Sequence, residues 1–182
     1  MNFNIYVFYK FNTICVIKKN RIKNLQNKLS IQWQIILMNE GSFTKTLHYL
    51  TNNIIKTKTL QKQYSIPEIM SRNIRCAWLE TEIYTQLTFA RSLWRFLLNN
   101  TIYKTISNNK AIGQLLIENQ IDIYKHIHEI YYGYCKNLEL QFKSIKPLWG
   151  RKYTLYYNKI FFVTIQEFFS PSIADFFNNN NG

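Results

Sequence analysis

The chain has 182 residues, 47% of them apolar and 16% aromatic, which suits one domain with a substantial core, excludes a disordered segment and leaves too little for two comfortable domains. Its formal net charge of +13 raises nucleic acid as a partner class. The lysines are scattered, though, with one dense cluster at Lys18, Lys19, Arg21 and Lys23, so nucleic acid is disfavoured as a partner.

In chain order, the opening MNFNIYVFYKFNTICVIKKNRIK is apolar but interrupted by Lys10, too short for a membrane span. It lacks the cleavage site of a secretory signal and the Arg- and Ser-rich character of an organellar presequence. Residues 1–27 are expected to be a poorly ordered appendage or a strand added to the edge of the domain. Heavy use of Ile, Asn, Lys, Tyr and Phe, with only 5 Gly and 3 Pro, is the bias of AT-rich coding DNA. It points to an AT-rich microbe or to an organelle that makes the protein itself.

Ser42 reads as the N-cap of a helix carrying Phe43, Leu47, Leu50, Ile54 and Ile55 at helical spacing. A Lys/Thr/Gln-rich stretch running to Pro67 then breaks it. Ile74 to Leu79 and Ile83 to Trp94 read as two strands of a hairpin around Glu80 to Glu82. Asn99 and Asn100 mark a boundary, and Asn108 or Asn109 caps a short helix with Ile112, Leu115 and Leu116 on one side. Asp122 to Cys135 alternates like a strand in its first half, and Leu138 to Phe142 suits a helical turn. Arg151 to Tyr157 and Ile160 to Phe169 form a second hairpin around Asn158 and Lys159. Residues 176–182 end in an Asn run and are expected to fray. Hairpins dominate and crossover helices are few. The expected fold is therefore α+β, an antiparallel sheet with helices on one face or one end, in a domain spanning 28–175.

Cys15, Cys76 and Cys135 are odd in number and far apart, which excludes a disulfide scaffold and fits a reducing compartment. His126 and His128 share a strand face, but no third ligand stands near them in sequence. A metal site is not expected.

Three charges stand where alternation puts apolar residues. Glu167 shares a strand face with Phe161, Val163, Ile165 and Phe169; Arg91 shares one with Leu87, Phe89 and Leu93; Arg75 shares one with Ala77 and Leu79. Taken singly, such a charge is more often part of a structural ion pair than of a site. Together, two arginines against one glutamate leave a surplus positive charge that an anionic small molecule could neutralise.

The segments IRCAWLE with Arg75, LTFARSLW with Arg91, NNKAIGQLL with Ile112, LWGRKY, and IQEFFSP with Glu167 occur in an order and spacing that resemble the chorismate lyase-like family. The likeness runs from about Leu29 to Phe169 and is greatest to the family's plastid-encoded members in red algae. It implies an antiparallel sheet of about six strands enclosing a buried pocket. It also implies conversion of chorismate to 4-hydroxybenzoate and pyruvate without cofactor or metal, in the plastid. Carried over by position, Arg75 matches the arginine that clamps the ring carboxylate and Arg91 the second pocket arginine. Glu167 matches the carboxylate at the hydroxyl end of the product. Phe43 and Ile112 match residues whose backbone amides complete the carboxylate site. The chain departs from the bacterial enzyme at Gln166, which stands where that enzyme has Thr, and in the bulk of Phe43 and Ile112. The alternative implied by the same resemblance is a non-catalytic module that binds small aromatic carboxylates.

Overall fold

The computed structural model describes residues 10–26, 28–66, 70–83, 85–96, 123–157 and 160–177. The helix expected near Ile112, the turn at Asn158 and Lys159, and residues 178–182 lie outside them. Seven strands form a single sheet: β1 (Asn12–Lys18), β2 (Ile55–Ile66), β3 (Met70–Thr81), β4 (Gln86–Phe96), β5 (Tyr124–Tyr134), β6 (Leu148–Tyr157) and β7 (Ile160–Phe169). They lie in the order β1-β5-β6-β7-β4-β3-β2, every neighbouring pair antiparallel. The helices are α1 (Lys19–Gln26), α2 (Ile31–Met38), α3 (Phe43–Thr51) and α4 (Lys136–Phe142), followed by a 3-10 helix at Pro171–Phe177. The fold is α+β.

Both faces of the sheet are covered at one end. On the first, α2, α3 and the 3-10 helix bring Ile36, Leu37, Phe43, Leu47 and Ile173 against Leu79, Leu87, Ile130 and Phe169. On the second, α4 packs Leu138 and Phe142 against Cys76, Trp78, Phe89 and Leu148. Apolar side chains on both sides of the strands blur the two-residue alternation that distinguishes a buried face from a wet one.

Several elements differ from the sequence expectation, each for a physical reason. The helix after Ser42 stops at Thr51 because Asn52 adopts a left-handed φ of 50°, which frees Ile55 to open β2. The Lys/Thr/Gln-rich stretch expected to be a break is β2 itself. As an outermost strand it can be polar, and Lys56 and Lys58 pair with Glu82 and Glu80 at 3.6 and 2.7 Å, while lysines on an edge deter further strand pairing. Ile83 lies in the β3–β4 turn and is 77% exposed. At the N-terminus, β1 adds to the sheet edge beside β5, and Ile17 and Ile22 pack against the first core cluster. At the other end Phe176 and Phe177 pack against that same cluster, so the expected fraying does not begin at 176. Among the described residues no helix is long and apolar enough to cross a membrane.

Candidate active site

The first face carries a polar centre inside its apolar cover. In the antiparallel register Glu167 on β7 sits across from Ala90 on β4 and from Arg151 on β6. Arg151 Nε donates to Glu167 Oε2 at 2.7 Å, and the Tyr153 hydroxyl donates to Oε1 at 2.8 Å. Arg151 Nη1 donates to the carbonyls of Ile36, Leu37 and Asn39 at 3.1, 3.0 and 2.9 Å. One guanidinium thus closes the C-terminal end of α2, whose carbonyls lack intrahelical donors, and neutralises a carboxylate on the sheet. The rings of Tyr153, Phe43 and Phe169 lie 5.2, 5.4 and 5.5 Å from its carbon, a dry setting in which the ion pair is poorly screened. Burial, with the Glu167 charge adding to it, holds the Tyr153 hydroxyl protonated well above the usual phenol range.

Arg75 approaches from β3. Its register partner Ser92 is paired in turn with Ile165, so Arg75 shares the Glu167 face and is 2% exposed. Burial lowers its guanidinium to about 10, which leaves it charged at neutral pH. Between Arg75 and Glu167 the floor of the sheet is made by Ala77 and Ala90, paired with each other in the same row as Glu167. These two methyl groups remain partly accessible, although Arg75 and Glu167 on either side are buried. The low floor is thus flanked by a cation and an anion. Phe43 opens α3; its ring packs on Phe169 at 5.0 Å, and its backbone N–H belongs to the first helical turn, where donors lack intrahelical acceptors.

Arg91 is not part of this centre. Its register partners are Cys76 on β3 and Gln166 on β7, which puts it on the second face, the one α4 covers. The expectation that Arg75, Arg91 and Glu167 converge is corrected accordingly: all three point toward an apolar layer, but this sheet has two such layers. Ile112 lies outside the described residues.

Sequence reasoning missed Arg151 and Tyr153. Both stand on a strand that was expected, and the alternation of Arg151, Tyr153 and Leu155 was visible. The available signal was Glu167 itself, because a buried carboxylate requires donors and the neighbouring strand of its hairpin was the place to look.

The family model described as chorismate pyruvate-lyase Rv2949c-like matches residues 37–177. The chain belongs to this family. The matched span of the chorismate pyruvate-lyase-like chain holds Phe43, Arg75, Arg151 and Glu167 and leaves out β1 and α1. An uncharacterized protein ycf21 of Antithamnion sp. is 41% identical over 175 residues, 95% of this chain and 97% of the relative. Proteins of the same name from Porphyra purpurea and Cyanophora paradoxa are 37% and 30% identical, covering 81% and 78% of this chain and 86% and 78% of their own lengths. These relatives are plastid-encoded, and the protein is assigned to the plastid as an organelle-encoded product.

Proposed function

We propose that the protein is a cofactor-independent lyase that converts chorismate, or a close aryl-carboxylate relative, to 4-hydroxybenzoate and pyruvate. The observation that carries this reading is the buried arrangement of Arg75, the Ala77–Ala90 floor and Glu167 held by Arg151 and Tyr153. Arg75 takes the ring carboxylate in a bidentate contact, helped by the backbone amide of Phe43. The ring lies over the two alanines, and its hydroxyl end meets Glu167. In the reaction the bond between the ring carbon and the ether oxygen breaks and enolpyruvate leaves with the electron pair. The ring loses the hydrogen of its hydroxyl-bearing carbon and becomes aromatic, and the enolpyruvate takes up a proton at its methylene carbon to give pyruvate. Glu167 stands at the end of the ring where that hydrogen departs. Arg151 and Tyr153 each donate to its carboxylate and so fix its orientation toward that hydrogen. Positioning and a fixed field supply the remainder.

The test is incubation of the purified protein with chorismate and measurement of both products. Equimolar 4-hydroxybenzoate and pyruvate are expected, with no requirement for added metal, and with loss of turnover in Glu167→Gln and Arg75→Ala. If neither product forms and neither chorismate nor 4-hydroxybenzoate binds, the reading fails. Tight 4-hydroxybenzoate binding without turnover would instead establish a carboxylate-binding module built on the same residues.

A further inference from the structure

Lys125 reaches the Glu167 face from β5. Its register partner Leu155 is itself paired with Val163, so the side chain rises on the same side of the sheet as Arg151 and Tyr153. Its Nζ donates to the Asn39 carbonyl at 3.0 Å and lies 4.6 Å from the centre of the Tyr153 ring. The same carbonyl accepts from Arg151 Nη1 at 2.9 Å, so two cations converge on one oxygen. One carbonyl cannot neutralise both. Arg151 has Glu167 for its counter-charge; Lys125 has two further N–H donors and no ion-pair partner among the described residues. Burial lowers its ammonium to about 8, with the Arg151 charge pushing the same way and Glu167 and Glu40 pushing back. Two further buried atoms nearby in the chain, Asn39 Oδ1 and Ser42 Oγ in the α2–α3 loop, lack a hydrogen-bond partner among the described residues.

The charges are disposed symmetrically. Arg75 on β3 and Lys125 on β5 are four strand positions apart, about 19 Å at the level of the backbone, a gap that two long side chains and a small ring can bridge. Glu167 on β7 stands between them. Glu167 already answers Arg151, so a ligand with a carboxylate at each end would meet Arg75 at one end and Lys125 at the other.

Resting on the proposed lyase reading, we infer that Lys125 binds the second carboxylate of the substrate, at the opposite end from Arg75, and that it makes the site prefer ring acids with a carboxylate-tipped side arm over plain aryl monocarboxylates. Arg91, on the other face, is unable to do this. Bond cleavage would then leave each product anion held by a single cation, Arg75 for the ring and Lys125 for the three-carbon acid.

Two non-reacting probes that differ by one carboxylate test this by calorimetry: 3-carboxymethoxy-4-hydroxybenzoate, a dianion, and 3-methoxy-4-hydroxybenzoate, a monoanion. Wild-type protein is expected to bind the dianion at least tenfold more tightly. Lys125→Gln should remove that preference while leaving monoanion affinity within about twofold, and Lys125→Arg should restore most of it. Equal affinity of wild-type protein for the two probes, or a preference that survives in Lys125→Gln, overturns the inference and leaves the lyase reading standing. Binding of neither probe by wild-type protein overturns both. A Lys125→Gln variant that loses both probes equally would show a structural role for Lys125 and also overturn the inference; circular dichroism of each variant identifies a folding defect.

Discussion

Glu167 and Arg151 each rely on the other to be tolerated where they are. Their side chains are 8% and 0% exposed, and removing one partner of a buried ion pair costs about 3–5 kcal/mol because the other charge is left unanswered. Glu167→Gln keeps acceptor and donor atoms near Arg151 and Tyr153, so its cost falls at the lower end of that range. Arg151→Met strips the donor from Glu167 and from the carbonyls of Ile36, Leu37 and Asn39 at once, and is expected to destabilise more. Urea unfolding should show both midpoints lowered, Arg151→Met further, at unchanged slope. Turnover in Glu167→Gln is then interpretable only below its own unfolding transition. Lys125 gives a second signature. Its folded-state value of about 8 lies below the ordinary lysine value of 10.5, so between those two limits the unfolded chain binds more protons than the native one. Stability should therefore rise with pH from about 8 to about 10 as the buried ammonium discharges. Lys125→Met should flatten that rise in a series of denaturation curves across the window, whereas a slope unchanged by the substitution would contradict the burial of this charge.

At the scale of elements, the pairing of Arg151 with Glu167 depends on an irregularity in the β6–β7 hairpin. Near the turn the register is Tyr157↔Ile160 and Tyr156↔Phe161, and a shift between Leu155 and Tyr156 carries the rest of the ladder one position along. A regular two-residue hairpin would have set Gly150 against Glu167. The strands, the hairpin, the antiparallel sheet and the inward carboxylate were legible because alternation and turn residues announce them. The partner of that carboxylate was not, because a one-residue bulge leaves no mark in the alternation of either strand yet moves every cross-strand neighbour. Arg91 was misread for a related reason: of its apolar neighbours at period two, Phe89 packs in the second-face cluster and Leu87 in the first, and period two alone does not name the layer. Two substitutions separate these placements. A Cβ at Gly150 would meet Phe168 Cδ1 at 2.7 Å and the Glu167 carbonyl at 2.8 Å, and the carbonyl belongs to the adjoining strand and cannot swing away. Gly150→Ala is expected to cost about 1–3 kcal/mol and to weaken 4-hydroxybenzoate binding, since it pries apart the strands that carry Arg151 and Glu167. Arg91→Ala should lower thermal stability through the second face while leaving 4-hydroxybenzoate affinity unchanged. A large loss of affinity in a folded Arg91→Ala protein would return that arginine to the site.

For the molecule as a whole, the family match begins at residue 37, and before it the chain adds β1 to the sheet edge and α1 after it. Strand β1 hydrogen-bonds along β5 from Asn12 through Lys18, and α1 follows it directly. Its fit is close: a side chain at Gly133 on β5 would collide with the Asn12 carbonyl and approach the Phe11 ring, so that glycine permits the two strands to meet. Removing residues 1–27 therefore does more than trim a tail. It strips Ile17 and Ile22 from the first core cluster and leaves β5 as an unprotected edge, a template for pairing with another chain. It also removes the Lys18, Lys19, Arg21 and Lys23 cluster, the densest positive stretch of a chain with net charge +13. The two consequences are separable. A truncated protein should melt at lower temperature and self-associate at micromolar concentration in analytical ultracentrifugation, whereas charge reversal of Lys18 and Arg21 in the full-length chain should leave both properties unchanged and affect only salt-sensitive retention on heparin. If truncation leaves melting and association as they were, β1 contributes nothing to the sheet that β5 does not supply alone. If charge reversal abolishes a tight, salt-dependent retention, the N-terminal segment serves a polyanion and not merely the edge it covers.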